Sequence, residues 1–107
     1  MQNTRDADAK HIHWARNVKE RDNYTCQICR AIGVRLHSHH LNSYDIFVDQ
    51  RYILDNGITL CSVCHEKFHV IFGKGSNTKF QFEQFKKSRE LILKALLNKY
   101  SQTKGSK

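Results

Sequence analysis

Apolar positions along the chain fall into helical and alternating stretches in a definite order. From Ala7 to Arg21, the residues Ala7, His11, Trp14 and Val18 recur at helical spacing, with Lys10, Arg16, Lys19 and Glu20 turned away. That pattern predicts an amphipathic helix, with Trp14 as its core anchor. Asp22-Asn23 is turn chemistry that stops it. Val34, Leu36 and Ser38 then alternate with Arg35, His37 and His39, which predicts a strand over Val34–His39. Successive strand residues point to opposite faces. The adjacent His39 and His40 therefore serve one site only if the strand ends or bends at the pair, and Leu41-Asn42-Ser43 has the composition of such a bend.

Residues 44–55 read as a connecting loop with a helical turn. Asn56-Gly57 is a turn signal, and Ile58-Thr59-Leu60 is the returning strand. The helix that follows ends before Gly73. Thr78 and Gln81 have the spacing of a capping box and open a second helix that runs to about Tyr100. Its stripe of Phe82, Phe85, Ile92, Leu93, Leu96, Leu97 and Tyr100 is assigned to the core, whereas Leu91 lies opposite and is available to a partner. The order is that of an α+β domain spanning residues 7–100, with flexible tails at 1–6 and 101–107.

At 107 residues the chain is one domain with a modest core that a metal staple would help. Eighteen Lys and Arg against ten Asp and Glu give a net charge of +8 at pH 7, which favours a polyanionic partner. The polar start, Met1-Gln2-Asn3-Thr4-Arg5-Asp6, has no secretory apolar region, and no run approaches a membrane span. A cytoplasmic protein without membrane attachment is expected.

Cys26-Gln27-Ile28-Cys29 and Cys61-Ser62-Val63-Cys64 are two C-x-x-C knuckles, which in a reducing compartment read as thiolate metal ligands rather than disulfides. Two knuckles close a tetrahedral shell, so Cys26, Cys29, Cys61 and Cys64 are expected to hold a structural zinc that performs no chemistry. Such binding is coupled to folding by ~10–16 kcal/mol in zinc-finger peptides, comparable with the whole stability of a small domain. The gap between the knuckles is longer than in ordinary zinc ribbons. It contains the strand that carries His39 and His40.

His65 and His69 are spaced i, i+4, so on a helix they share a face and can share a metal. Adding His39 and His40 gathers imidazoles around an ion that needs only three of them. The fourth can accept a proton, because imidazole titrates near neutrality. His11, His13 and His37 are read as ordinary surface or capping residues, with His37 in reserve because it shares strand parity with His39.

With these motifs in place the sequence resembles the HNH nucleases, a family with a zinc-stapled ββα-metal (His-Me finger) core. The resemblance spans about Trp14 to Tyr100. It rests on Arg21-Asp22-Asn23-Tyr24-Thr25-Cys26-Gln27-Ile28-Cys29, on His39-His40, on Asn56 before Ile58-Thr59-Leu60-Cys61, and on Cys64-His65. Phe68-His69-Val70-Ile71-Phe72-Gly73, with Asn77-Thr78 and Gln84-Phe85, is similar to free-standing HNH endonucleases of bacteriophages. The resemblance implies that His40 is the general base, that His39 and His65 ligate a catalytic metal, and that His69 matches a third ligand. It implies that Asn56 pins the loop between the strands, and that a water activated by His40 cleaves DNA to leave 5′-phosphate and 3′-hydroxyl ends.

Many relatives have Asp in place of His39 and Asn in place of His65. An all-imidazole set suits Zn²⁺, Ni²⁺, Co²⁺ or Mn²⁺ better than Mg²⁺. By analogy with the family, Lys67 and Lys74 approach DNA phosphates. Cutting both strands from one site calls for two copies or two passes, which leaves room for a homodimer or a larger phage or restriction assembly. The rival expectation is a zinc-stabilised DNA-binding module without catalysis.

Overall fold

Helix α1 (Thr4–Arg21) leads the computed structural model, which describes residues 4–105. Its inward side carries Trp14 and Val18, which are 2% and 0% exposed. The end of α1 is fastened to the sheet by polar groups. Arg21 donates to the carbonyls of Leu54 and Gly57, while the adjacent Asp22 carboxylate accepts the Thr59 N–H. Arg21-Asp22 thus acts as a bracket between helix and strand as well as a helix stop. Asn23 and Tyr24 turn the chain through the left-handed region, at φ 55° and 51°.

Strand β1 (Leu36–His40) pairs antiparallel with β2 (Gly57–Cys61), from Leu36 opposite Cys61 to His40 opposite Gly57. The expected strand over Val34–His39 is shifted toward the C-terminus. His40 is inside the ladder, and the turn comes directly after it, at Leu41–Ser43. Asn56 is not a turn residue. It is buried at the end of a 3₁₀ segment, Leu54–Asn56, and Gly57 begins β2. Glycine is required at position 57 because a Cβ there would stand 2.6 Å from the Trp14 ring and closer still to Val18.

Helix α2 (Ser62–Phe72) continues from β2 without a loop, giving the ββα order. Helix α3 (Lys79–Gly105) opens with the capping box read from the sequence: Thr78 Oγ1 accepts the Gln81 N–H at 3.2 Å, and Gln81 Oε1 accepts the Thr78 N–H at 3.0 Å. The core gathers Leu41, Leu60, Phe68, Phe82 and Phe85 around the buried cysteines.

The stripe on α3 does not lie wholly in the core. Phe82 and Phe85 are buried, but Ile92, Leu93, Leu96 and Leu97 are 54–59% exposed, as is Leu91 at 58%. The reason is length. The sheet and α2 offer a surface only to the first turns of α3, and the helix runs on alone in a body 70 Å long and 19 Å thin. The side chain of Tyr100 lies outside the described residues. Of the expected tails, Thr4–Asp6 and Ser101–Gly105 continue the helical backbone, and the remainder lies outside the described residues. No helix among the described residues is long and apolar enough to cross a membrane.

A seam closes the molecule beside the end of β1. The loop 73–78 is tied to 42–45: Ser43 N–H donates to Asn77 O at 2.9 Å, Lys79 N–H to Asn42 Oδ1 at 2.8 Å, and Ser76 N–H to the Asp45 carboxylate.

Candidate metal sites and the histidine cleft

The four sulfurs of Cys26, Cys29, Cys61 and Cys64 lie within 4.8 Å of one another, as a tetrahedral site requires. The first knuckle turns through Arg30 at φ 66°, with Arg30 N–H bonded to Cys26 O and Cys26 N–H to Ala31 O. It is docked on β2 by Gln27 N–H to Thr59 O at 2.9 Å. In the second knuckle Cys61 ends β2 and caps α2, its sulfur accepting the Cys64 N–H at 3.4 Å.

Burial works against ionisation of Cys26, but N–H groups of Cys29, Cys61 and Ile28 outweigh it and bring its thiol down to about 7. Burial and the neighbouring sulfurs push Cys64 up. The cluster thus favours a thiolate at Cys26 and opposes one at Cys29 and Cys64 until a cation joins them. It could hold a structural metal such as zinc.

The second group is His39, His65 and His69, whose ring nitrogens also lie within 4.8 Å of one another. His39 projects from β1 toward α2, on which His65 and His69 stand one turn apart. Gly73, at φ 87°, closes α2 and brings its carbonyl back to His69 Nδ1 at 2.7 Å. A carbonyl only accepts, so Nδ1 carries a proton, which in the neutral ring leaves the lone pair on Nε2. That Nε2 is 3.1 Å from Nε2 of His65. His39 Nε2 is buried with no hydrogen-bond partner, a costly condition that a cation would relieve.

Burial, then the proximity of His65, His69 and His40, lowers His39 to about 3; burial, then His69 and His37, lowers His65 to about 4. Both are therefore neutral at pH 7, the form that ligates. Three converging imidazoles fit a divalent transition ion and fit magnesium less well.

His40 lies on the opposite face of β1, as strand geometry demands. Its ring stacks on Trp14 at 3.8 Å and 15°, and its Nε2–H donates to Arg51 O at 2.8 Å. Nδ1 remains as the basic nitrogen. Burial lowers the pKa of His40, with the Arg51 carbonyl opposing.

The two faces meet because the cleft lies across the end of the strand. His39, His40, His65, His69, Tyr44 and Lys74 line a space of about 160 Å³. Asn56 braces the loop beside it, its Nδ2 donating to the carbonyls of Asn42 and Gln50 and its Oδ1 accepting the Asn42 N–H.

Among the other sequence candidates, Lys74 stands at this cleft, whereas Lys67 lines a separate groove between α2 and α3. Other contributors are held only in reserve by the sequence reading, as His37 is, or are set aside, as His11 is. His37 stacks on His65 at 4.7 Å and reaches Ser62 Oγ, and His11 lies 5.7 Å from His40. The strand parity of His37 with His39 and the helical spacing of His11 to Trp14 were the available signals. The carbonyls of Arg51 and Gly73 had none.

A two-stranded hairpin running into a helix, with a four-sulfur cluster at the junction and an imidazole trio between strand and helix, defines a small ββα-metal fold. The model of the HNH endonuclease family matches residues 26–70, a span that contains both C-x-x-C knuckles and all the cleft histidines. Residues 26–70 thus carry an HNH endonuclease domain. It is also similar to Anaredoxin of Nostoc sp. (strain PCC 7120 / SAG 25.82 / UTEX 2576), with 30% identity over 60 residues that cover 56% of this chain and 76% of the relative. No solved structure matches it.

Proposed function

We propose that the chain is a metal-dependent endonuclease that hydrolyses DNA phosphodiester bonds in the histidine cleft. His40 is the general base, and His39, His65 and His69 hold a single catalytic divalent ion. The observation that carries this reading is one cleft shared by three converging imidazoles and a fourth whose Nε2–H is held by a carbonyl.

A divalent ion bound there supplies the charge that polarises the phosphate and stabilises the departing 3′ oxygen. His40, with Nε2–H committed to Arg51 O, uses Nδ1 to take a proton from the attacking water. Trp14 and Arg51 keep that ring in one orientation, and Asn56 acts at a distance by holding the loop. Lys74 at the rim would meet a phosphate, and Lys67 on the far side of α2 adds to the positive field. Such contacts position the backbone without reading sequence.

Zn²⁺, Ni²⁺ or Mn²⁺ suits the trio better than Mg²⁺. The reading accommodates a homodimer, or a larger phage or restriction assembly, in the cytoplasm of a bacterial host.

The test is nicking of supercoiled plasmid by purified protein with added Mn²⁺, Ni²⁺, Zn²⁺ or Mg²⁺. Cleavage that falls by at least ~10²–10⁴-fold in His40→Ala supports the reading. Protein that shifts DNA but cuts it with none of these ions would instead be the non-catalytic zinc-stabilised DNA-binding module.

A further inference from the structure

The loop between the strands presents one carbonyl to His40, and the residue that owns this carbonyl also braces the loop. Arg51 Nε donates to the carbonyl of Tyr44 at 2.7 Å, and its guanidinium lies 4.1 Å above the Tyr44 ring. Tyr44 in turn meets His40 edge-on at 5.5 Å. The side chain of Arg51 therefore clasps the start of the loop, while its backbone oxygen receives the His40 Nε2–H at 2.8 Å. At the base of the same loop Asn56 holds the neighbouring Gln50 carbonyl at 3.0 Å. No carboxylate pairs with Arg51 among the described residues.

We propose that the Arg51 side chain is a positioning residue for the base: by gripping Tyr44 it holds its own carbonyl against His40 and so fixes the imidazole tautomer and plane. A charged side chain in a basic protein would ordinarily be assigned to phosphate contact. The geometry points to a different role, because both the cation–π contact and the directed Nε–H bond are spent inside the loop. Lysine would keep the charge but not the planar fork.

The catalytic arm of this inference rests on the nuclease reading; the tautomer arm rests on geometry alone. The experiment uses the full zinc-loaded chain as wild type, Arg51→Lys and Arg51→Gln. In both variants single-turnover plasmid cleavage should fall about 10- to 100-fold, the scale of a slight misplacement of a reacting group. DNA affinity and its salt dependence should hold.

Long-range ¹H–¹⁵N correlation spectra should show a single Nε2–H tautomer for His40 in the wild type and a mixture in both variants. A wild-type cleavage rate in Arg51→Lys, or a loss confined to DNA affinity with a salt slope reduced by about one, overturns the assignment in favour of phosphate contact. If wild type cuts no plasmid, the nuclease reading fails separately and the spectra alone decide. A single Nε2–H tautomer surviving in Arg51→Gln then overturns the brace, and its loss sustains it.

Discussion

The imidazole of His40 lies flat on the indole of Trp14, the ring centroids 3.8 Å apart and the planes within 15°. Trp14 is the single tryptophan of the chain, so its fluorescence reports on the imidazoles beside it: His40 in the stack and His11 at 5.6 Å. A protonated imidazole quenches a stacked indole and a neutral one does so weakly. Burial lowers the pKa of His40 below its ordinary 6.5. The part of the quenching that is lost in His40→Gln should therefore have its transition below pH 6.5. A His40-dependent transition above pH 6.5 would contradict the environment described for this ring.

His39 gives a prediction about stability. Its folded-state pKa is about 3, against about 6.5 in an unfolded chain. The unfolded state therefore takes up the proton first, so the contribution to stability is complete above pH 6.5 and is lost as the pH falls toward 3. His39→Leu removes both that proton uptake and the unpartnered Nε2. In protein stripped of metal at the histidine trio, the leucine variant should equal or exceed wild type in urea midpoint at pH 7, with the advantage widening at pH 5. It should bind one divalent ion fewer by elemental analysis. A loss of several kcal/mol at pH 7 would show that His39 packs as a core residue in its own right.

Cys61 joins three structures: it ends β2, contributes to the sulfur cluster, and caps α2 through the Cys64 N–H. Cys61→Ser should release the structural metal and, with it, most of the cooperative thermal transition. Metal coupling of ~10–16 kcal/mol exceeds what so small a core supplies. Circular dichroism melting beside a zinc assay checks this. A metal-free variant that melts as wild type does would make the cluster dispensable.

Gly57→Ala places a methyl group against Trp14 and Val18. The expected cost is about 1–3 kcal/mol of overpacking, read as a lower denaturant midpoint. Because Trp14 must shift to make room, the fluorescence quenching by His40 should weaken in the same protein. Loss of stability with the quenching intact would place the strain elsewhere.

The sequence made the local devices legible. Thr78 and Gln81 announce the start of α3 because a capping box is encoded within four residues. The C-x-x-C knuckles announce a sulfur cluster because their spacing permits little else. Strand parity set His39 and His40 on opposite faces, but whether they reach one cleft depended on where β1 ends, which parity does not encode. The distal half of α3 misled for a related reason: periodicity identifies an apolar stripe at Ile92 to Leu97 but not whether anything stands opposite it. The backbone oxygens of Arg51 and Gly73, which set the tautomers of His40 and His69, are common to every residue type and so leave no mark in a sequence.

The seam between loops 73–78 and 42–45 has a mechanical consequence. With Ser43 bonded to Asn77, Asp45 to Ser76 and Asn42 to Lys79, the jaw of the cleft is sewn shut on one side and has little freedom to gape around a duplex. On the nuclease reading the adaptation falls to the nucleic acid, which must present its strand by bending or widening a groove. Sites would then be chosen partly by how readily a stretch of DNA yields, including at base pairs no side chain reaches.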